Sequence, residues 1–175
     1  MLGNTGDFDF VITEIGGTVG DIESLPYIES VRQMRWELGK DCLCIHLTYV
    51  PFVAAAGELK TKPTQHSVKE LQQEGVQPDV LVLRAEHPIT PEVRKKVALF
   101  CNVDSEAVIE SADVKTIYEV PIRMQQEGLD RVVLKRLGIN PDDTVADMKQ
   151  WNFFLDKLHN ATEEVKIALV GKYVR

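Results

Sequence analysis

Two short segments concentrate the residue types that handle phosphate groups and metal ions. The first is Glu14-Ile15-Gly16-Gly17-Thr18-Val19-Gly20-Asp21-Ile22-Glu23, directly after the apolar, β-rich run 8–13. In open α/β sheets ligands collect beyond the carboxyl ends of the strands. A carboxylate there, as Glu14 would be, suits Mg²⁺, an oxygen-seeking ion that also grips phosphate. The glycines let backbone approach a ligand and present its N–H groups, and Asp21 and Glu23 can accept hydrogen bonds from a base or a ribose. The glycine spacing is neither a Walker A loop nor a dinucleotide fingerprint. On residue chemistry alone, a plain structural turn is an equal reading.

The second segment is Gly57-Glu58-Leu59-Lys60-Thr61-Lys62-Pro63-Thr64-Gln65-His66-Ser67. Lys60 and Lys62 stand just ahead of an expected helix N-terminus, where the macrodipole and unpaired N–H groups favour anions. Two ammonium groups, two threonine hydroxyls and a glutamine amide can cradle a triphosphate; a solvated loop is the competing reading. Arg94-Lys95-Lys96 reads as a solvated helix face. His46, His66, His87 and His159 share no metal-ligand spacing. Cys42, Cys44 and Cys101 form no CxxC and are odd in number, so they read as small core residues, with Cys42 and Cys44 on one face of a strand.

The elements that must hold these segments follow from periodicity and punctuation. Run 8–13 reads as a strand leading into the glycine turn. Ser24 is placed to cap a helix from about Leu25, with Pro26 in its first turn, an apolar stripe of Ile28, Val31, Met34 and Leu38, and Gly39 at its end. Residues 42–50 read as a strand buried on both faces, and an irregular stretch 51–63 leads to a helix through Val68 and Leu71 that stops at Gly75. Residues 79–83 form a third buried strand, and Thr90-Pro91-Glu92 opens the next helix. Short strands at 108–109 and 116–120, helices at 122–127 and 129–137, a turn at 140–143, an amphipathic helix at 145–158 carrying Trp151, Phe154 and Leu155, and a last strand at 165–170 complete the reading. Strands alternating with helices imply βαβ units and a largely parallel sheet.

Composition limits the partners. Among 175 residues, 27 are acidic and 20 are Lys or Arg, for a net charge of −7. Sequence-independent nucleic-acid affinity comes from Lys and Arg neutralising phosphates, so this balance argues against nucleic acid and for a local phosphate site. No apolar stretch reaches the ~20 residues that span a bilayer, and no signal peptide is visible. The expected setting is the cytoplasm.

The two motifs, EIGGTVGDIESLPYIESVRQMRWELG and GELKTKPTQHSVKEL, closely resemble the synthetase (amidoligase) domain of the CTP synthase family. The resemblance runs from residue 8 to 175 through QPDVLVLRAE, ALFCNV and DVKTIYEVP, and IALVGKYV resembles the first strand of that family's glutaminase domain. It implies an incomplete P-loop-type fold (dethiobiotin-synthetase-like), α/β, with a mostly parallel sheet flanked by helices. Residues 1–140 would be the C-terminal part of the amidoligase domain, 141–164 a linker and helix, and 165–175 the first strand of a truncated glutaminase domain.

The implied reaction is ATP-dependent amination of UTP to CTP, with ammonia from glutamine. Carried over by position, Glu14 would hold Mg²⁺, and Asp21, Ile22 and Glu23 would line the pyrimidine-nucleotide pocket. Lys60, Thr61, Lys62, Pro63, Thr64, Gln65 and Lys96 would grip the triphosphate of UTP or CTP. Ala112, Asp113 and Val114 would lie by the ATP adenine, with Arg84 near ATP as well. A homotetramer follows by analogy, because neighbouring subunits build the family's UTP site together. The family's glycine- and lysine-rich phosphate loop, a second Mg²⁺-binding aspartate and the glutaminase Cys–His–Glu have no match here, so these residues alone are expected to make no CTP. A non-catalytic CTP/UTP-binding or subunit-assembly module is the alternative. Another P-loop amide ligase fits the architecture but not the two motifs.

Overall fold

The computed structural model describes residues 6, 8–143 and 145–172. The chain divides into two compact units, Met1–Val145 and Ala146–Arg175.

In the first unit, three parallel strands form the sheet in the order β1-β4-β5: β1 (Ile45–Tyr49), β4 (Val80–Ala85) and β5 (Val108–Ala112). Tyr49 pairs with Arg84, Arg84 with Ser111 and Ala85 with Ala112, so the carboxyl ends of all three strands reach one edge. β2 (Phe52–Val53) and β3 (Glu58–Leu59) make a small antiparallel hairpin just beyond β1. Helices α1 (Leu25–Leu38), α2 (Lys62–Gln73), α3 (Pro91–Cys101), α4 (Val120–Gln126) and α5 (Leu129–Arg136) surround them.

β4 is the centre, paired on both sides, and five of its six residues are buried, as an unbroken Val/Leu run dictates for a parallel strand covered on both faces. Val68 of α2 and Val97, Ala98 and Cys101 of α3 join Leu81, Leu83 and Ile109 in the main core, with Met124 of α4 and Leu129 and Val132 of α5 packed against it. A second, smaller cluster of Ile28, Leu71 and Val76 joins α1 to α2. Thr90 caps α3 as expected, its hydroxyl accepting from the Val93 N–H, and Asp143 N–H donates to Asn140 C=O in the expected turn.

Several expected elements differ. Residues 8–13 form no strand: Phe8, Phe10, Val11 and Ile12 are exposed, and none of their backbone groups enters a ladder with the described strands. A strand is defined by its partner, and β-rich composition does not supply one. Residues 42–50 are shorter as a strand and alternate in burial: His46 and Thr48 face α2, while Ile45, Leu47 and Tyr49 are exposed. The expected burial on both faces is therefore corrected to one. Cys42 and Cys44 precede β1 and so do not share a strand face. Ser24 makes no side-chain cap; its hydroxyl donates backwards to Asp21 C=O at 2.9 Å and closes the preceding turn. In α1, Ile28 is buried but Met34 and Leu38 are exposed. Residues 116–120 form a 3-10 turn leading into α4, not a strand, and Thr116 accepts from the Tyr118 N–H.

The second unit contains α6 (Lys149–His159). Its Trp151 and Phe154 rings lie 5.7 Å apart, and Lys157 sits over Phe153. Residues 165–170 form no strand, and Val165, Ile167, Leu169 and Val170 are exposed. Residues 173–175 of the closing run lie outside the described residues.

Burial raises the Cys44 and Cys101 thiols to about 11. The thiolate is the reactive form, so at pH 8 both sites should alkylate roughly 100-fold more slowly than an ordinary thiol. Iodoacetamide labelling followed by mass spectrometry should show slow reaction at Cys44 and Cys101 in the folded chain and fast reaction at all three cysteines in urea. Fast labelling of folded Cys101 would contradict the core placement. A raised thiol contributes stability that is fully present below pH ~9 and is lost as pH climbs toward 11.

Candidate functional site

The carboxyl edge of the sheet gathers most of the candidate residues. β1 ends at Tyr49, and Pro51 C=O accepts from the Lys60 N–H at 2.9 Å, which folds the hairpin back so that α2 begins beside the strand end. α2 starts at Lys62 with Pro63 in its first turn, so Lys62 is the first helical residue rather than one ahead of the helix. Lys62 and Pro63 are exposed, and Gln65 is half-buried. The early N–H groups of this helix and its positive dipole end face the carboxyl edge.

The threonines behave differently from expectation. Thr61 and Thr64 are buried. Thr61 Oγ1 accepts from Gln65 Nε2 at 3.0 Å. Thr64 Oγ1 lies 3.1 Å from Thr48 Oγ1 and donates to Tyr49 C=O at 3.4 Å. The Thr64 hydroxyl is thus used inside the protein, whereas Thr61 accepts from Gln65 and keeps its own O–H to donate.

Lys60 pairs with Glu58, and its ammonium, with Lys96 contributing, holds the Glu58 carboxyl below the usual carboxylate range. Lys96 of α3 is therefore close enough to the hairpin to act on Glu58. α3 itself is fixed by Arg94, which reaches Glu127 at 2.8 Å and Glu110 at 3.8 Å, while Glu110 N–H donates to Glu127. A patch that reads as a solvated helix face in sequence thus divides: Arg94 anchors the helix, while Lys95 and Lys96 stay exposed.

The expected ATP residues lie one strand further on. Arg84 Nε meets Asp113 Oδ1 at 3.1 Å, and Asp113 N–H donates to Ala85 C=O at 3.0 Å, with Ala112 and Val114 on either side. Tyr49 stands between the two groups. Its carbonyl accepts from Thr64, its hydroxyl donates to Glu86 Oε1 at 2.9 Å, and that bond raises the phenol above its ordinary value, with Asp113 and Arg84 close enough to act on it. Tyr49, Glu86, Glu58 and Thr48 were not singled out in sequence. The available signal was position alone, since each stands at or next to the end of a strand.

The glycine segment runs along the groove beside β1 and reaches the later half of α2 at Gly20. Thr18–Asp21 is a turn closed by Asp21 N–H to Thr18 C=O at 3.0 Å and by Thr18 N–H to Asp21 Oδ2 at 3.2 Å, with Gly17 and Gly20 at positive φ. A Cβ on Gly20 would lie 3.8 Å from Glu70, which sets the turn beside the later half of α2. From Lys62 to Glu70 is about 12 Å along the helix axis at 1.5 Å per residue. Within one chain, then, Asp21, Ile22 and Glu23 are not brought to the Lys60–Lys62 end. Glu14 is exposed and lines a groove of about 820 Å³ along β1, with Ile12, Leu47 and Pro63 among its walls. Among the described residues no cluster of three or more His, Cys, Asp or Glu could hold a metal ion, and no helix is long and apolar enough to cross a membrane.

The carboxyl edge thus carries a basic helix N-terminus at the end of β1 and an Arg–Asp pair at the ends of β4 and β5. Residues 2–139 match the family described as CTP synthase N-terminus. The chain is 63% identical over 174 residues to the CTP synthase of Porphyromonas gingivalis, which covers 99% of this chain and 32% of the relative. It is 65% identical over 175 residues to that of Bacteroides thetaiotaomicron and 60% identical to that of Christiangramia forsetii, with the same coverage. It thus spans about a third of the length of the curated relatives it matches. Fold, motif and relatives agree, and the chain belongs to the CTP synthase N-terminal family.

Proposed function

We propose that this chain is the nucleotide-binding part of a CTP synthase, in which ATP transfers its γ-phosphoryl group to the 4-oxygen of UTP. Ammonia then bonds to C4 as the C4–O bond breaks, releasing phosphate and a proton and leaving CTP. Lys60, Thr61, Lys62, Pro63, Thr64 and Gln65, with Lys96, grip the triphosphate of UTP or CTP. Ala112, Asp113, Val114 and Arg84 take ATP. Phosphoryl transfer needs positioning and charge neutralisation more than covalent help, and this edge provides both. The single observation that carries the reading is the α2 N-terminus, with Lys60 just ahead of it, at the same carboxyl edge of the sheet as the Arg84–Asp113 pair.

Glu14 fits Mg²⁺ as one exposed carboxylate, since that ion uses one or two carboxylates and completes its shell with water and substrate phosphates. When bound, the ion supplies charge neutralisation to the transferring phosphoryl group. Asp21, Ile22 and Glu23 line the pyrimidine pocket. Their separation from the Lys62 end along α2 supports a site shared between neighbouring subunits, and with it a homotetramer. Residues 1–140 belong to the amidoligase domain, 141–164 link it onward and 165–175 begin a glutaminase domain that draws ammonia from glutamine. The setting is the cytoplasm.

The test is a graft: this chain replaces the corresponding third of the Bacteroides thetaiotaomicron relative. Chromatography should show UTP converted to CTP with ATP, Mg²⁺ and glutamine or ammonia. A folded graft that consumes no UTP would overturn the reading.

A further inference from the structure

One face of β1 carries two polar side chains two residues apart, and each meets α2. His46 Nε2 lies 2.9 Å from Ser67 Oγ, and Thr48 Oγ1 lies 3.1 Å from Thr64 Oγ1. His46, Thr48 and Thr64 are buried, next to Val50 and Val68 of the apolar core. The spacing is complementary. Residues two apart share a strand face, and residues three apart share a helix face. An apolar contact alone tolerates sliding, because burial is non-directional, whereas a buried hydroxyl without its partner is costly. Moving α2 by one turn, about 5.4 Å, would break both bonds.

We propose that the Thr48–Thr64 and His46–Ser67 bonds set the axial register of α2 on β1, making Thr48 and His46 positioning residues for the phosphate-gripping turn Thr61 to Gln65. The proposal rests on the reading of that turn as the triphosphate site. Thr64 has a double link, to the Thr48 hydroxyl and to Tyr49 C=O, so the first turn of the helix is tied to the last residues of the strand. Burial lowers the His46 imidazole below its ordinary value and keeps it neutral at pH 7, able to exchange a hydrogen bond with a hydroxyl without a buried charge.

Calorimetric titration of the grafted enzyme with CTP and Mg²⁺, with thermal melts alongside, tests this. Thr48→Val keeps the shape and removes the hydroxyl. It should weaken CTP binding about tenfold, as loss of one hydrogen-bonded anchor allows, and Thr48→Ser should restore it. The double variant Thr48→Val with Thr64→Val leaves neither hydroxyl unpaired. Its melting temperature should return close to the parent's while CTP binding stays weak, an outcome that a purely structural role would not produce. The inference is overturned if binding recovers with stability in the double variant, or if Thr48→Val binds within twofold of the parent. Lys62→Ala separates the two claims. If it leaves CTP affinity unchanged, the phosphate reading itself fails; if it weakens binding and Thr48→Val does not, only the positioning role fails.

Discussion

Replacing Lys62 by alanine in the grafted enzyme is expected to raise the KM for UTP by about 10- to 100-fold and to leave the KM for ATP within twofold. Lys62 is the exposed first residue of α2, at the end of the helix where N–H groups lack intrahelical partners. A hydrogen bond to a charged group is worth about 1.5–3 kcal/mol, which is one to two decades of affinity. The Thr64 hydroxyl cannot compensate, since it is engaged with Thr48 and Tyr49 C=O, and a neutral hydroxyl at Thr61 does not replace the lysine's charge. Lys60 differs, because its ammonium already pairs with Glu58, and Lys60→Ala alone is expected to do less. Arg84 and Asp113, proposed for ATP, hold one another a strand away and should not register the change. Steady-state kinetics with each nucleotide varied separately checks both halves, and a rise in both KM values would indicate a disturbed sheet edge instead of a lost phosphate contact.

The largest expected effect on stability is at Leu83. It is fully buried in β4, between Thr48 on one side and Glu110 on the other in the strand register, and it belongs to the main core. Leu83→Ala removes its transfer energy and leaves a cavity that neighbours paired on both sides cannot readily close, a cost of about 2–5 kcal/mol. Domains of this kind are stable by only about 5–15 kcal/mol. Urea unfolding should show the loss as a shifted midpoint. Leu47→Ala makes the contrast: its side chain is 64% exposed on the open face of β1, and the change is expected to stay within about 0.5 kcal/mol. Equal costs at the two sites would contradict the assignment of which face of β1 is covered.

Sequence is most informative here where local chemistry determines the outcome. The Thr90-Pro91-Glu92 start of α3, the stop of α1 at Gly39 and the continuous apolar run of β4 are decided by caps, backbone freedom and burial within a few residues. Runs 8–13 and 165–170 have equally strong β composition, yet neither is a strand, because strands exist only by pairing and pairing is not local. At the site, helix punctuation indicated that Lys60 and Lys62 would stand by a helix start, and Arg84 and Asp113 lie at the ends of β4 and β5. Two features were not legible. The Thr64 hydroxyl turns inward, since it faces a threonine 16 positions earlier that only the βαβ crossover brings close. Tyr49 became visible only when the strand ends aligned. The Asp21–Glu23 turn was legible as a turn, but its distance from Lys62 depends on how α2 lies.

The most direct measurement is a calorimetric titration of the grafted enzyme with CTP and Mg²⁺, against the same enzyme carrying both Lys60→Ala and Lys62→Ala. Saturable binding by the parent, lost in the variant while its circular dichroism is unchanged, is the expected result and places the triphosphate on the α2 N-terminus. A folded parent that takes up no CTP, or a variant that binds as tightly as the parent, would contradict the assignment of this sheet edge as the pyrimidine-nucleotide site.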